Sequence, residues 1–312
     1  MSADNNHISY TIEEIANQLR VSKLTVYDLV KKGDLPVFKV GRQMRITSED
    51  LNQYIRNHRS GGEQSRSQPI NEPVASEKAD SPIIISGQDA ILEILGAHIE
   101  RHSPIKTLRT SMGSLNGLIS MYQNKCEIVS LHLFDGETRT YNVPYVCRIL
   151  VGQPYIIIHL IQRNAGFYVK QGNPLHIQNW NDLVNPSVKI VNRERGSGAR
   201  VLLDEQLRLN KISPDMINGY GDIETSHLSV ASSVASGRAH VGVGIEKTAK
   251  LAGVEFIPMI KEQYDIVILK NEKTAPLIKT IQTILKDQHF LTEIRGLGDY
   301  DLSRTGDTIH ET

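Results

Sequence analysis

The chain reads as an α/β protein with largely parallel sheets, preceded by a small module of short helices and a hairpin. Three observations point there. β-Branched runs such as PIIIS (82–86), VKIVN (188–192) and HVGVG (240–244) alternate with amphipathic stretches of helical length. The first sixty residues are patterned differently, as short helices around a basic hairpin. Between the two, SGGEQSRSQPINEPVASEKADS has almost no large apolar residue, too few to offset the entropy of ordering it, and reads as a mobile tether. The expected division is therefore 1–59, a linker over 60–81, and a domain over 82–312.

Composition limits the function classes. A chain of 312 residues is long for one domain, and 39% hydrophobic with 22% charged residues is ordinary for a globular protein. Thirty-five basic residues balance thirty-five acidic ones, so DNA affinity must come from a local patch and not from a general field. MSADNNHISYTIEE has no basic region leading into an apolar run, and no stretch approaches the roughly 18 apolar residues that span a bilayer. A cytoplasmic protein is expected. Cys126 and Cys147 lack CxxC spacing and read as small buried hydrophobes in a reducing compartment.

In the first module, Thr11 and Glu14 form a capping box that opens the helix TIEEIANQLR. Val21-Ser22 makes a turn, Ser22 caps KLTVYDLVKKG, and Gly33 closes it. Leu24, Val26, Leu29 and Val30 are read as inward-facing. After Pro36, FKVGRQMRI suggests a two-stranded wing, and Ser48 caps a closing helix, SEDLNQYIRNH. The stretch from Tyr10 to Ile55 resembles the excisionase-type winged helix-turn-helix, related to the DNA-binding part of MerR regulators. The resemblance implies a second helix in the major groove, with Lys23, Thr25, Tyr27 and Lys31 near base edges, and Lys39, Arg42 and Arg45 on phosphates. Double-stranded DNA is the implied partner. One copy, with Asp28 and Asp34 opposing its basic face, should bind weakly, so a homodimer or higher homo-oligomer on paired half-sites is expected.

In the larger domain the elements run PIIIS, the helix GQDAILEILGAHIERH, the helix SLNGLISMYQ, and strand-like CEIVSLHLF, YIIIHLI and GFYVK. HIQNWNDL starts a helix, VKIVN leads into GSGARVLLDEQLRL, and HVGVG leads into IEKTAKLAG. FIPMI and YDIVILK are strands before a last long helix, PLIKTIQTILKD. Three strand-to-helix junctions combine hydroxyls with bare amides: Ser86-Gly87-Gln88, Ser111-Met112-Gly113-Ser114 and Gly196-Ser197-Gly198-Ala199. Such junctions present N–H groups and a helix dipole to an anion. None carries the lysine of a P-loop, so a small permanently ionised oxyanion held by neutral donors fits better than a nucleotide.

The run from SGQDAILEIL through GSLNGL, QRNAGFYVKQGNP, NRERGSGAR and GYGDIETSHLSVASSVASGRAHVGVGIEKTAK to FIPMIKEQYDIVI resembles the periplasmic-binding-protein-like domain associated with molybdate. That likeness spans about 82–305. It implies a type II two-lobed fold with lobe one over 82–163 and 264–312 and lobe two over 164–263, crossing near Gln162–Gly166 and Lys261–Tyr264. It implies molybdate or tungstate as effector, with no other cofactor, bound by Ser86, Gly87, Ser111 and Ser114 of lobe one and Ser197, Gly198 and Ala199 of lobe two. Ala199 stands where the family commonly has threonine. Arg193, Arg195 and Arg200 flank that loop; Arg195, Thr225 and His227, with Tyr264 at the crossover, complete the candidate site. The sequence thus suggests a ligand-responsive transcriptional regulator. Its alternatives are a recombination accessory or architectural DNA-binding protein, and an oxyanion-binding protein without a regulatory role. His98, His132, His159 and His176 are scattered without metal-ligand spacing, and no serine faces a base and an orienting acid, so neither a metal site nor catalysis is expected.

Overall fold

The computed structural model describes residues 9–19, 21–32, 34–40, 43–47, 50–51, 54, 82–298 and 300–312. The chain divides into two compact units, 1–74 and 75–312. The linker read over 60–81, the Gly33 and Ser48 helix ends and most of the closing helix lie outside the described residues. Among those described, no helix is long and apolar enough to cross a membrane.

In the first unit β1 (Ser9–Thr11) and β2 (Phe38–Val40) flank β3 (Gln43–Thr47), both antiparallel to it. Two helices, α1 (Ile12–Leu19) and α2 (Lys23–Lys32), pack on this sheet. The Thr11 hydroxyl accepts the Glu14 N–H at 3.3 Å, and Glu14 accepts the Thr11 N–H at 2.7 Å. Ser22 Oγ accepts the Thr25 N–H at 3.1 Å. Ile12, Ile15, Ala16, Val26, Leu35, Ile46 and Leu51 form a small core. Leu24 does not join it and is 76% exposed, contrary to the inward reading. At about 100° per residue it lies about 200° from Val26, on the opposite side of α2.

The second unit begins with β4 (Ile83–Ser86), α3 (Ile91–His102), β5 (Thr107–Thr110), α4 (Ser114–Tyr122) and β6 (Ile128–Leu131). A hairpin of β7 (Phe134–Asp135) and β8 (Thr140–Tyr141) and then α5 (Val143–Ile149) lead into β9 (Tyr155–Val169). Lobe two adds β10 (Ile190–Arg193), α6 (Gly198–Leu209), β11 (Ile223–Glu224), α7 (His227–Ala235), β12 (Val241–Ile245) and α8 (Glu246–Ala252). The chain returns through β13 (Glu255–Leu269) and ends with α9 (Ala275–Ile284), α10 (Gln288–Arg295) and β14 (Thr308–Glu311).

One sheet of nine strands runs through both lobes in the order β11-β10-β12-β9-β13-β6-β4-β5, with β14 beside β9. It is mixed, whereas the sequence suggested largely parallel pairing. β4 is parallel to β5 and β6, and β10 to β11 and β12, but β9 and β13 are antiparallel to every strand they pair with. The reason lies in continuity: YIIIHLI and GFYVK are one strand, as are FIPMI and YDIVILK, because the polar QRN and KEQ segments between them bridge the lobes without breaking the ladder. Gln162 faces Gln263 and Arg163 faces Glu262 at the middle of this ribbon. Register slips at Pro258/Ile260, beside Gly166, where a Cβ would sit 2.0 Å from the Ile257 carbonyl oxygen. HIQNWNDL yields only a 3-10 turn, Trp180–Val184; PLIKTIQTILKD forms as α9, and Asp287 at its end caps a further helix, α10, accepting the His289 N–H at 2.8 Å.

Each lobe has its own core. Ile83, Ile85, Leu92, Leu95, Ile158, Ile266 and Phe290 are among the buried residues of lobe one, and Phe167, Trp180, Leu202, Leu203 and Val243 among those of lobe two. Each such side chain contributes about 1.5–3 kcal/mol by leaving water. Phe134 and Tyr141 of the β7–β8 hairpin, in the segment read as lobe one, pack into the lobe-two core instead. Of the cysteines, Cys126 is buried but Cys147 is exposed, with Sγ 3.2 Å from the Tyr155 hydroxyl. α5 turns Cys147 outward, and so the buried reading holds for one of the pair.

Candidate functional site

The lobes touch through their Gly/Ser loops. The Leu115 N–H donates to the Gly196 carbonyl at 2.9 Å, and Asn116 Nδ2 donates to the Arg195 carbonyl at 3.3 Å. A Cβ on Gly113 would sit 2.8 Å from that Gly196 oxygen, so the approach needs glycine. Behind the contact lies a cavity of about 320 Å³. Five helices begin on its wall: Ala90 precedes α3, Gly113 α4, Ser197 α6, Ser226 α7 and Ile245 α8. The first amides of a helix have no carbonyl behind them, so each beginning presents donors and partial positive charge.

Buried charge surrounds these amides. Arg163, 4% exposed, donates through Nε to Glu262 at 2.6 Å and through a terminal nitrogen to Asp89, and its guanidinium lies 4.5 Å from the Tyr264 ring centroid. Glu262 also meets His132 Nδ1 at 2.9 Å. Burial alone would raise the Glu262 pKa, but His132 and Arg163 outweigh it and hold the carboxyl well below the usual range. Arg193, 2% exposed, donates to Glu194 and, across the cleft, to Gln88 Oε1 at 2.8 Å. The Tyr264 hydroxyl donates to Ser130 Oγ at 2.8 Å, and burial keeps it protonated far above neutrality. His227 lines this surface, and its Nδ1 is buried without a hydrogen-bond partner. Burial first, and then Arg193, Arg163 and His132, hold its pKa well below 6.5, so the ring is neutral near pH 7.

Ser111, Ser114, Ser197, Gly198, Thr225, His227 and Tyr264 all line the cavity. Ser86, Gly87, Arg195 and Ala199 do not. Ser86 Oγ is buried against α4, facing Gly117, and the Gly87 N–H is taken by the Thr110 carbonyl at 2.9 Å. Ala199 turns its methyl into the lobe-two core, so a missing hydroxyl there does not alter the cavity wall. Arg195 is exposed and contributes its carbonyl to lobe contact; Arg193 is the arginine that reaches the cleft. Asp89, Ser130, His132 and Arg163 line the cavity without having been singled out, and Glu262 braces two of them from behind. Arg163 and Glu262 stand in the polar QRN and KEQ segments, where nothing in the local pattern marks them as a pair.

On the first unit, Thr25, Tyr27 and Lys31 are exposed along α2. Lys23 is exposed but pairs with Glu13 at 2.9 Å, and Arg45 is half-buried, donating to Ser9 Oγ at 3.2 Å. Arg42 and the Lys39 side chain lie outside the described residues.

A family model described as a PBP superfamily domain matches residues 96–286, and a helix-turn-helix domain model matches residues 9–59. A Bacillus subtilis (strain 168) protein, the uncharacterized YvgK, is 49% identical over 99% of this chain and 100% of its own length. A putative DNA-binding protein of Mycobacterium tuberculosis is 42% identical over 14% of this chain and 58% of its own, within the first module's length. Among solved structures, the tungstate ABC transporter from Geobacter sulfurreducens is similar in fold, with a TM-score of 0.50 at 11% identity, over 70% of this chain and 100% of that one.

Proposed function

Because the chain belongs to the PBP superfamily and carries a helix-turn-helix domain ahead of that fold, we propose that it is a transcriptional regulator whose DNA binding responds to a small oxyanion, molybdate or tungstate. The observation that carries the reading is the cavity on which helices of both lobes begin, beside buried Arg193 and a neutral His227. Arg163, Arg193 and Lys247 on the wall are balanced by Asp89, Glu262 and Glu194 on or behind it, so attraction falls to amides, hydroxyls and the helix ends. Such a site favours an anion that never takes up a proton at neutral pH. The Geobacter sulfurreducens neighbour, whose name records tungstate, is consistent with that choice.

In this mechanism, anion binding holds Gly113 against Gly196 and stabilises the closed lobes. A tenfold change in DNA affinity requires about 1.4 kcal/mol of difference in anion affinity between DNA-competent and incompetent states. Exposed Thr25, Tyr27 and Lys31 contact DNA in a homodimer. Calorimetric titration of the purified chain with molybdate, tungstate, sulfate and phosphate tests the ligand. Submicromolar binding of the first two with no response to the others is expected. Silence from all four removes the oxyanion, and operator affinity unmoved by saturating anion removes the regulation.

A further inference from the structure

On lobe one, α3 packs against α10. His98 and His102 are one turn apart on α3, and His289 and Glu293 are one turn apart on α10, so each pair shares a face of its helix. His98, His289 and Glu293 each bring a ligating atom within 4.8 Å of the others. Glu293 lies between the two rings: His289 Nδ1 is 2.9 Å from Oε1, and His98 Nε2 is 3.4 Å from Oε2, an ion-pair distance without hydrogen-bond geometry. His98 is 2% exposed, yet neither ring nitrogen makes a hydrogen bond. An imidazole buried in that condition gives up its water without replacement, which is unfavourable. Its ring is fixed, with Phe290 edge-on at 5.3 Å and His102 stacked at 5.9 Å.

From this we infer a binding site for a divalent transition-metal ion of zinc's class, held by His98, His289 and Glu293, with its fourth position open to solvent. Two imidazoles and a carboxylate are a set that zinc accepts, at bond lengths of about 2.0–2.2 Å. Reaching those lengths requires movement of His289, which is 71% exposed, and of Glu293, while His98 stays in place. Arg101, 3.9 Å from Glu293, partly neutralises the carboxylate, a role that a bound cation would share. Spacing within one segment does not reveal the site, because it joins two helices almost two hundred positions apart.

The test is zinc titration of the tag-free full chain by calorimetry, with cobalt(II) absorption reporting coordination geometry. One ion per chain is expected. His289→Ala and Glu293→Gln should each weaken it by at least about tenfold, the scale on which even outer-shell changes act. Both alter partly exposed residues, so they keep the test valid if His98→Gln fails to fold. Absence of zinc uptake at micromolar concentrations overturns the site, as does unchanged affinity in both variants. Molybdate titration of the same variants should match the parent, which separates this site from the cleft.

Discussion

The two walls of the cleft use similar loops differently. In lobe two the serines before α6 and α7 are occupied with their own helices: Ser197 Oγ accepts the Arg200 N–H at 3.3 Å, and Ser226 Oγ accepts the Ser229 N–H at 3.0 Å. Ser197 Oγ also donates to the Glu194 carbonyl at 3.0 Å, leaving its hydrogen committed. In lobe one, Gly113 offers α4 no side-chain cap, and Ser111 stands exposed on the wall. Lobe two therefore presents amides, Arg193, Thr225 and His227 while its two capping serines are committed, whereas lobe one also leaves the serine Ser111 uncommitted to a cap. A serine in a glycine-rich loop is a ligand donor only where the helix has not already claimed it.

The largest perturbation should come from what the walls share. Arg163→Ala leaves Glu262 and Asp89 buried without their partner, and should cost about 3–5 kcal/mol in urea denaturation and abolish closure. Next, Gly113→Ala should leave stability nearly unchanged, because its φ of −67° suits alanine, but the added Cβ meets Gly196. Anion affinity should fall by at least about tenfold, the shift that about 1.4 kcal/mol of lost lobe contact produces. An unchanged affinity would show that the lobes need not meet.

The comparison between walls is sharpened by two alanine substitutions. Ser197→Ala should lower stability by about 1 kcal/mol through its lost cap, with little effect on anion affinity. Ser111→Ala should do the reverse, within about 0.5 kcal/mol of the parent in stability and weaker in titration. Equal behaviour of the pair would erase the distinction drawn here. The smallest effect concerns pH. Since His227 resists protonation when folded, the unfolded chain takes up a proton that the folded one does not as pH falls through about 6.5. Stability should decline there and level off at the lower folded pKa, and His227→Gln should remove that part of the slope in melts across pH 5–8.

Legibility followed the range of the interaction. The Thr11–Glu14 box, the Ser22 cap and the loops at Ser111–Ser114 and Gly196–Gly198 involve neighbours in the chain, and the sequence displayed them directly. Leu24 was misread because helical phase, not hydrophobicity, decides which residues turn inward. Arg163–Glu262 spans ninety-nine positions, and no local pattern displays it. Among the flanking arginines, which one reached the cleft depended on the twist of β10 into the loop. Arg193 ends that strand and points inward, whereas Arg195 lies beyond it.

By itself, the sequence determined a helix-turn-helix module and an α/β domain of alternating elements. Apolar periodicity and turn chemistry are local, and they act before any tertiary contact forms. The tertiary structure alone decided that β9 and β13 run unbroken through both lobes, that the β7–β8 hairpin packs on lobe two, and which donors face the cavity. It also placed His98 beside His289 and Glu293. Those outcomes depend on which distant surfaces exclude water together, and burial, not residue type, settles whether a hydroxyl, an imidazole or an arginine is left free to bind.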